Sequence, residues 1–348
     1  MTKQVNAGGV LIGGGAPVTI QSMTNTDTRD LNATLAQIKR LSDAGCEIVR
    51  VSVYDDDCAK NIKEMVDGSN VPIVADIHFN HRLAIKSVEN GISKVRINPG
   101  NIGGENNVRE LADCLKVHKI PVRIGVNSGS VEKDILAKFG GPTPEALVES
   151  ALGHARLLEK FGYDQIVLSM KASNVRDTVD AARLMSKKSD YPLHIGVTEA
   201  GTPGMGNIKS AIGIGSLLLD GIGDTIRVSL TGDPVQEVYA AKDILKAVGL
   251  RNEGINIISC PTCGRTCIPV GEIAERVRRE TVDIKKPMTV AVMGCVVNGP
   301  GEASHADMGV AGGRDGGVLF VKGQPPKTVR GDLAKALIDE IRRVNINE

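Results

Sequence analysis

Short β-branched runs alternate with longer amphipathic stretches along the chain up to about residue 250. Eight runs recur: PVTIQSM (17–23), EIVRVSV (47–53), PIVADIH (72–78), KVRINPG (94–100), PVRIGVN (121–127), QIVLSMK (165–171), LHIGVTE (193–199) and TIRVSLT (225–231). Runs this short, bounded by Gly, Pro, Asn and Asp, predict strands. Stretches such as LNATLAQIKRLSDAG (31–45) and TPEALVESALGHARLLEKFG (143–162) separate them and predict helices. Strand–helix alternation predicts a parallel sheet, and eight βα units in about 250 residues match a (β/α)8 TIM-type barrel. An open doubly wound sheet is the rival, but such sheets often carry G-x-G-x-x-G after the first strand, whereas GVLIGGG precedes it here.

Past residue 250 the rhythm changes. INIISC and MTVAVMGC read as strands that each enter a cysteine loop, and GEIAERVRRETVD reads as a helix. GVAGGRDGGVLFVKG carries a further strand, and DLAKALIDEIRRV closes the chain as a helix. This predicts a small α+β module over residues 251–348, joined to a barrel over 1–250 through VGLRNEG (248–254).

Alternation within the strands predicts which side chains enter the barrel. Apolar residues face the helices and every second residue faces the interior. With Val95, Ile97, Val122, Ile124 and Val126 turned outward, Arg96, Asn98, Arg123 and Asn127 point inward. The same parity sends Arg50 and Ser52, Asp76 and His78, Ser169 and Lys171, His194 and Thr198, and Arg227 and Ser229 inside. Five cations therefore share one interior with few carboxylates, Asp76 and, at a strand end, Glu199. Buried cations are costly unless paired. One reading is internal ion pairs with snorkelling at the mouth; the other is an anion site at the strand C-termini, where barrel enzymes bind substrate and guanidinium groups grip phosphoryl oxygens in pairs. That much positive charge suits a substrate with at least two phosphoryl groups.

Global charge points elsewhere than to polymers or membranes. The 348 residues hold 42 Lys+Arg against 41 Asp+Glu, a net of +1, and 2% aromatics with no Trp. Nothing draws the chain to nucleic acid or to a lipid surface, and the stacking platforms of single-strand binders are missing. The opening MTKQVNAGGVLIGGG lacks an apolar stretch after a basic region, and no segment reaches the length of a membrane span, so a cytoplasmic protein is expected. In such a compartment clustered cysteines point to metal or catalysis rather than disulfides. Cys46, Cys58 and Cys114 are isolated and read as ordinary core or surface residues.

The other four cysteines are clustered. SCPTCGRTCIPV carries Cys260, Cys263 and Cys267, and MGCVVNGPGE carries Cys295. A four-sulfur zinc site would favour a second C-x-x-C, although Cys267 could geometrically supply the fourth sulfur. The order differs from the C-x-x-x-C-x-x-C of radical-SAM proteins. An iron–sulfur cluster held by three cysteines and a replaceable fourth ligand is the second reading, since a weakly held iron can bind substrate oxygen. Spacing alone leaves both open.

SCPTCGR and GCVVNGPGE, following QSMTNTDTRD, VADIHFN, KVRINPGNIG, VRIGVNSGS and IVLSMKASN, closely resemble the bacterial 4-hydroxy-3-methylbut-2-enyl diphosphate synthase family of the non-mevalonate isoprenoid pathway, from about residue 5 onward. The resemblance implies a (β/α)8 barrel followed by a cluster domain similar to those of sulfite and nitrite reductases. It implies reductive opening of 2-C-methyl-D-erythritol 2,4-cyclodiphosphate with loss of a hydroxyl as water, two electrons coming from reduced flavodoxin or ferredoxin. Carried over by motif, a 4Fe-4S cluster would be held by Cys260, Cys263, Cys295 and Glu302. Arg50, Arg96, Arg123, Lys171 and Arg227 would bind the diphosphate, with Asp76, His78, Asn98, Asn127 and Glu199 near the reacting end. The implied chemistry has a substrate oxygen replace Glu302, with Glu199 as proton donor and His78 able to orient phosphate. A head-to-tail homodimer of the short form is implied, its cluster domain closing over the partner's barrel about VGLRNEG. Cys267 has no counterpart as a ligand; it could compete for iron during assembly or pack under its loop, and packing is favoured. The rival of another class is a zinc-stapled barrel that binds a phosphorylated metabolite without redox chemistry.

Overall fold

The computed structural model describes residues 1–98, 101–296, 303, 305–313 and 315–346. It divides into two compact units, Met1–Leu250 and Arg251–Glu348.

The first unit opens with an antiparallel hairpin, β1 (Gln4–Ala7) and β2 (Val10–Gly13), which the run analysis missed. Val5, Ala7 and Ile12 of the hairpin pack on Ile48, Val74 and Val167, the lowest inward residues of three barrel strands, and so plug the N-terminal end of the barrel. Eight parallel strands follow: β3 (Thr19–Met23), β4 (Ile48–Ser52), β5 (Ile73–Asp76), β6 (Lys94–Ile97), β7 (Val122–Asn127), β8 (Ile166–Lys171), β9 (His194–Ile195) and β10 (Thr225–Ile226). Their order is β8-β7-β6-β5-β4-β3-β10-β9, and a parallel bridge between Leu168 and Leu193 brings the two ends together, which makes this a (β/α)8 barrel.

Each strand is followed by at least one helix: α1 (Leu31–Asp43), α2 (Asp56–Asp67), α3 (His81–Glu89), α4 (Glu105–His118), α5 (Lys133–Phe139) with α6 (Pro144–Lys160), α7 (Val175–Lys188), α8 (Pro203–Leu219) and α9 (Val235–Ala247). Their starts are written in the sequence. Asp30, Asp55, Asn80, Thr143 and Asn174 each accept a hydrogen bond from a first-turn backbone N–H, and Pro144 opens α6 at a position whose N–H would be unpaired anyway. Between strands and helices lies one continuous apolar layer that includes Val49, Val51, Val95, Ile97, Val122, Ile124 and Val126. The alternate residues of the same strands face the interior, as the periodicity requires.

The second unit is a five-stranded mixed sheet in sequence order: β11 (Ile255–Ser259), β12 (Met288–Met293), β13 (Met308–Gly313), β14 (Gly316–Val321) and β15 (Lys327–Val329). The first three strands run parallel and the last two antiparallel to their neighbours. Helices α10 (Val270–Glu280) and α11 (Leu333–Ile346) bury Ile273, Val277, Leu337 and Ile341 against Val290, Val292 and Val310. The Gly-rich segment forms a hairpin of two strands rather than one, and β15 was not anticipated; it is three residues long and exposed at two of them.

Candidate active site

At the C-terminal half of the barrel, a chain of contacts links the arginines of successive strands. Asp76, at the end of β5, accepts from Arg96 Nη1 at 2.9 Å and lies 3.4 Å from Arg50 Nε. Arg96 also donates through Nη2 to the Gly125 carbonyl at 3.3 Å. Arg50 donates through Nε and Nη2 to the Met23 sulfur at 3.1 and 2.9 Å, and Arg227 Nη1 approaches the same sulfur at 3.9 Å. Arg227 is in turn paired with Glu237, a buried carboxylate of α9. Burial alone would raise the Asp76 carboxyl, but Arg50, Arg96, His78 and Arg123 outweigh it and hold it well below the usual range.

The other side of the interior is not compensated. Arg123 is buried, and its Nε and Nη2 have no hydrogen-bond partner among the described residues. Lys171 is buried with no carboxylate in ion-pair range among the described residues. Burial, then Arg50 and Arg96, pushes Arg123 well below its ordinary value; burial, then Arg123, Arg227 and Arg50, does the same to Lys171. Arg50, which has Asp76, is lowered only to about 10, chiefly by burial. Space for Lys171 depends on Gly196, where a Cβ would meet the Arg227 carbonyl and lie 2.9 Å from Lys171 Nζ.

Below this level lies a cation that the parity reading passed over. Lys94 opens β6 two residues before Arg96, so the same alternation turns it inward; it is fully buried and meets Gln21 Oε1 at 3.3 Å. Burial, then Arg123 and Arg50, holds its amine well below the ordinary value. His194 is buried inside as expected, and burial followed by Arg123 keeps its ring well below the usual histidine range. The other missed group, Glu237, shares a helical stripe with Ala241 and Leu245; a carboxylate on an apolar stripe was the available signal.

Several sequence-expected residues stand at the rim. Asn98 is buried just beyond β6, and Asn127 ends β7 half-buried, its N–H donating to Ser130 Oγ at 3.0 Å. His78, which strand parity would carry inside, is exposed beside Phe79, because β5 ends at Asp76 and the alternation stops there. Glu199 is exposed four residues beyond the short β9, with a left-handed φ of 51°. Such a backbone is strained for a residue with a Cβ. Its Oε2 accepts from Ser173 Oγ at 2.6 Å, fixing one oxygen of the carboxylate. A separate cleft of about 710 Å³ opens at the opposite end of the strands, lined by Tyr191, Leu193 and Asp224 among others; none of the barrel cations lines it.

None of the chain's seven cysteines forms a disulfide, and four of them, Cys260, Cys263, Cys267 and Cys295, lie in the second unit. Cys260 follows β11 and Cys295 follows β12, adjacent parallel strands, so register brings the two cysteine loops side by side. Gly294 N–H donates to Cys260 Sγ at 3.1 Å, and Cys267 N–H donates to the Gly294 carbonyl at 2.9 Å. The turn between Cys263 and Thr266 is closed from both sides, at 3.1 and 3.0 Å. Hydrogen bonds from the Arg265 backbone and side chain lower the exposed Cys263 thiol below its ordinary value, favouring thiolate. Cys267 does not pack under its loop as expected: its side chain is exposed and its thiol meets the Arg265 carbonyl at 3.3 Å, because its backbone is what ties the loops together. Among the described residues, no three Cys, His, Asp or Glu side chains converge as they would on a single metal ion. Glu302 lies outside the described residues.

A barrel with a bank of buried cations at its strand ends, joined in one chain to a unit carrying free thiols on hydrogen-bonded loops, has the layout of a barrel enzyme. The profile of the GcpE TIM-barrel domain matches residues 2–242, and that of the GcpE protein C-terminal domain matches residues 256–343. The chain belongs to the GcpE family, and it is an enzyme. It is 58% identical to the 4-hydroxy-3-methylbut-2-en-1-yl diphosphate synthase (flavodoxin) of Caldanaerobacter subterraneus subsp. tengcongensis, over 99% of this chain and 97% of that one. It is 56% identical to the protein of the same name from Clostridium perfringens, over 99% of both chains. Among solved structures, the dihydropteroate synthase of Yersinia pestis aligns with TM-score 0.50 and 14% identity over 71% of this chain and 98% of that one, a likeness of the barrel fold alone.

Proposed function

We propose that this enzyme opens the ring of 2-C-methyl-D-erythritol 2,4-cyclodiphosphate reductively and removes a hydroxyl as water, giving 4-hydroxy-3-methylbut-2-enyl diphosphate. The observation that carries the reading is the surplus of buried cations. Arg50 and Arg96 share one carboxylate, Asp76, and Arg227 pairs with Glu237, while Arg123 and Lys171 have no carboxylate in ion-pair range among the described residues. A small diphosphate would supply the missing negative charge, and the names of the close relatives supply its identity.

In this reading Arg123 and Lys171 bind phosphoryl oxygens directly. Arg50 and Arg96 are oriented by Asp76 and so meet the substrate already in place. Asn98 and Asn127 hold polar groups at the reacting end, and His78 orients phosphate from the rim. Glu199 donates the proton that completes the leaving water, with Ser173 fixing one carboxylate oxygen. A 4Fe-4S cluster held by Cys260, Cys263, Cys295 and, from the resemblance, Glu302 would deliver the two electrons and act as Lewis acid. The donor set fits it: free thiols on hydrogen-bonded loops, one shifted toward thiolate and one accepting a backbone N–H of the kind that tunes cluster sulfurs. In this scheme residues 1–250 bind substrate and 251–348 hold the cluster.

Reduced flavodoxin or ferredoxin is the electron donor, and the relatives' names favour flavodoxin. A head-to-tail homodimer follows from the resemblance. An exposed apolar stripe on α8, Met205, Ile208 and Ile212, supports a protein contact on the barrel. Among the described residues no helix is long and apolar enough to cross a membrane, and unlinked thiols favour a cytoplasmic setting. The deciding experiment is anaerobic assay of the purified protein with the cyclodiphosphate and an artificial reductant. Iron-loaded protein that forms no allylic diphosphate would overturn the proposal; colourless, redox-inactive protein with one zinc per chain would replace it with the zinc-stapled barrel.

A further inference from the structure

Glu237 reaches the active site from outside the barrel wall. It lies in the first turn of α9, yet its carboxylate is buried at the seam where β3 meets β10. Oε2 accepts from Ser22 Oγ at 2.9 Å and from Arg227 Nε at 3.3 Å; Oε1 accepts from Arg227 Nη2 at 3.3 Å and from Leu230 N–H at 3.1 Å. The carboxylate thus takes the whole Nε/Nη2 edge of the guanidinium side-on. Arg227 Nη1 is left pointing the other way, toward the Met23 sulfur that Arg50 also contacts.

We propose that Glu237 is a positioning residue for Arg227: it fixes which edge of the guanidinium faces the diphosphate, and this rests on the substrate reading given above. Arg227 needs such a device because β10 is only two residues long and ends before it, whereas Arg123 lies within the six-residue β7. A free arginine gives up considerable rotamer freedom on binding phosphate, and a bidentate acid removes that loss beforehand. The competing role is mechanical, since the same carboxylate ties Ser22 of β3 to the loop after β10 and so closes the barrel seam.

Glu237→Gln separates the two roles. The amide keeps an oxygen for Leu230 N–H and a polar contact for Ser22, but cannot accept from both guanidinium nitrogens. In the iron-loaded enzyme, KM for the cyclodiphosphate should rise about tenfold with kcat changed less than about threefold, alongside a lowered melting temperature because Arg227 loses its carboxylate. Combined with Arg227→Lys, the effects should fall well short of multiplying. A lowered melting temperature with KM unaltered, or effects that multiply fully, would assign Glu237 to the seam alone and overturn the proposal. A second readout is independent of the substrate: hydrogen exchange of Arg227 Nε–H in the free protein, followed by ¹⁵N NMR. It should speed by at least about tenfold in Glu237→Gln. Unchanged exchange overturns the proposed positioning even if turnover is as described, and faster exchange in a protein inert to the cyclodiphosphate would sink the substrate reading while leaving the Glu237–Arg227 pairing in place.

Discussion

The barrel interior and the cysteine loops hold reactive groups by opposite means. In the barrel, most of the charged side chains stand on strand residues within the parallel sheet and are buried. In the second unit the sulfurs stand on loops just beyond strand ends, exposed or half-buried, and are located by single hydrogen bonds such as Gly294 N–H to Cys260 Sγ. A rigid frame can tolerate uncompensated charge, because the surrounding strands and helices oppose its escape. Loops held by single hydrogen bonds oppose such escape less. The difference teaches that the barrel holds its charges on a preorganised frame at a cost in stability, while the cysteine loops rest on few contacts of their own.

Removing a sulfur should have the largest effect. Cys295→Ser should lose bound iron and all measurable turnover under anaerobic conditions while leaving barrel melting in place, as read by iron analysis, visible absorbance and calorimetry; full iron content in that variant would remove Cys295 from the ligand set. In the barrel, Asp76→Asn should destabilise by about 3–5 kcal/mol, because it strands two buried guanidinium groups. Arg123→Met should do the reverse, raising the melting temperature while cutting kcat/KM about 100-fold, since it removes an uncompensated charge that only the substrate would neutralise. If Arg123→Met melts lower than the parent, the barrel is not carrying unrelieved charge.

A smaller effect is expected in the pH dependence of stability. Lys94 and Lys171 have ionisations pushed down by burial, so between their folded values and the ordinary 10.5 the unfolded chain binds protons that the folded chain does not. Stability should therefore rise with pH through that window and level off above it, by at most about 1.4 kcal/mol per pH unit for each lysine. Asp76 acts at the other end: its lowered value contributes stability above about pH 4 that is lost as pH falls through the folded value. Melting temperature followed from pH 7 to 10 should climb less in Lys94→Met than in the parent. The smallest effect is expected of Cys267→Ser, whose backbone N–H to Gly294 survives the change; its iron content and turnover should stay within about twofold of the parent.

Much of this was legible in the residues, for reasons that also mark where legibility stopped. Strands buried on both faces read as β-branched runs, so all eight barrel strands were visible, and Arg96 between Val95 and Ile97 announced its own direction. Parity failed for His78, because β5 stops at Asp76; Glu199, four residues past the end of β9, lies on a loop whose course alternation never described. Lys94 stands two residues before Arg96, so the period of two already carries it inward. Glu237 was harder, since a helix residue entering a barrel site across the wall belongs to neither the strand pattern nor a strand-end loop. In the second unit, β15 has too few buried positions to leave a pattern. The side-by-side cysteine loops follow from the β11–β12 register, which spacing along the chain does not contain.

The seam between β3 and β10 also sets a timetable for making the protein. Thr19 pairs in register with Thr225, so the first barrel strand leaves the ribosome 206 residues (225 − 19) before its neighbour on that side. At synthesis rates of about 5–20 residues per second this is on the order of 10–40 s during which one edge of β3 stays open. An uncovered edge is a template for pairing with another chain, and contacts this distant in sequence form slowly. Folding yield in the cell should therefore depend on how long that edge waits, so that slowing translation just before codon 225 would cost more correctly closed protein than the same pause placed after codon 240.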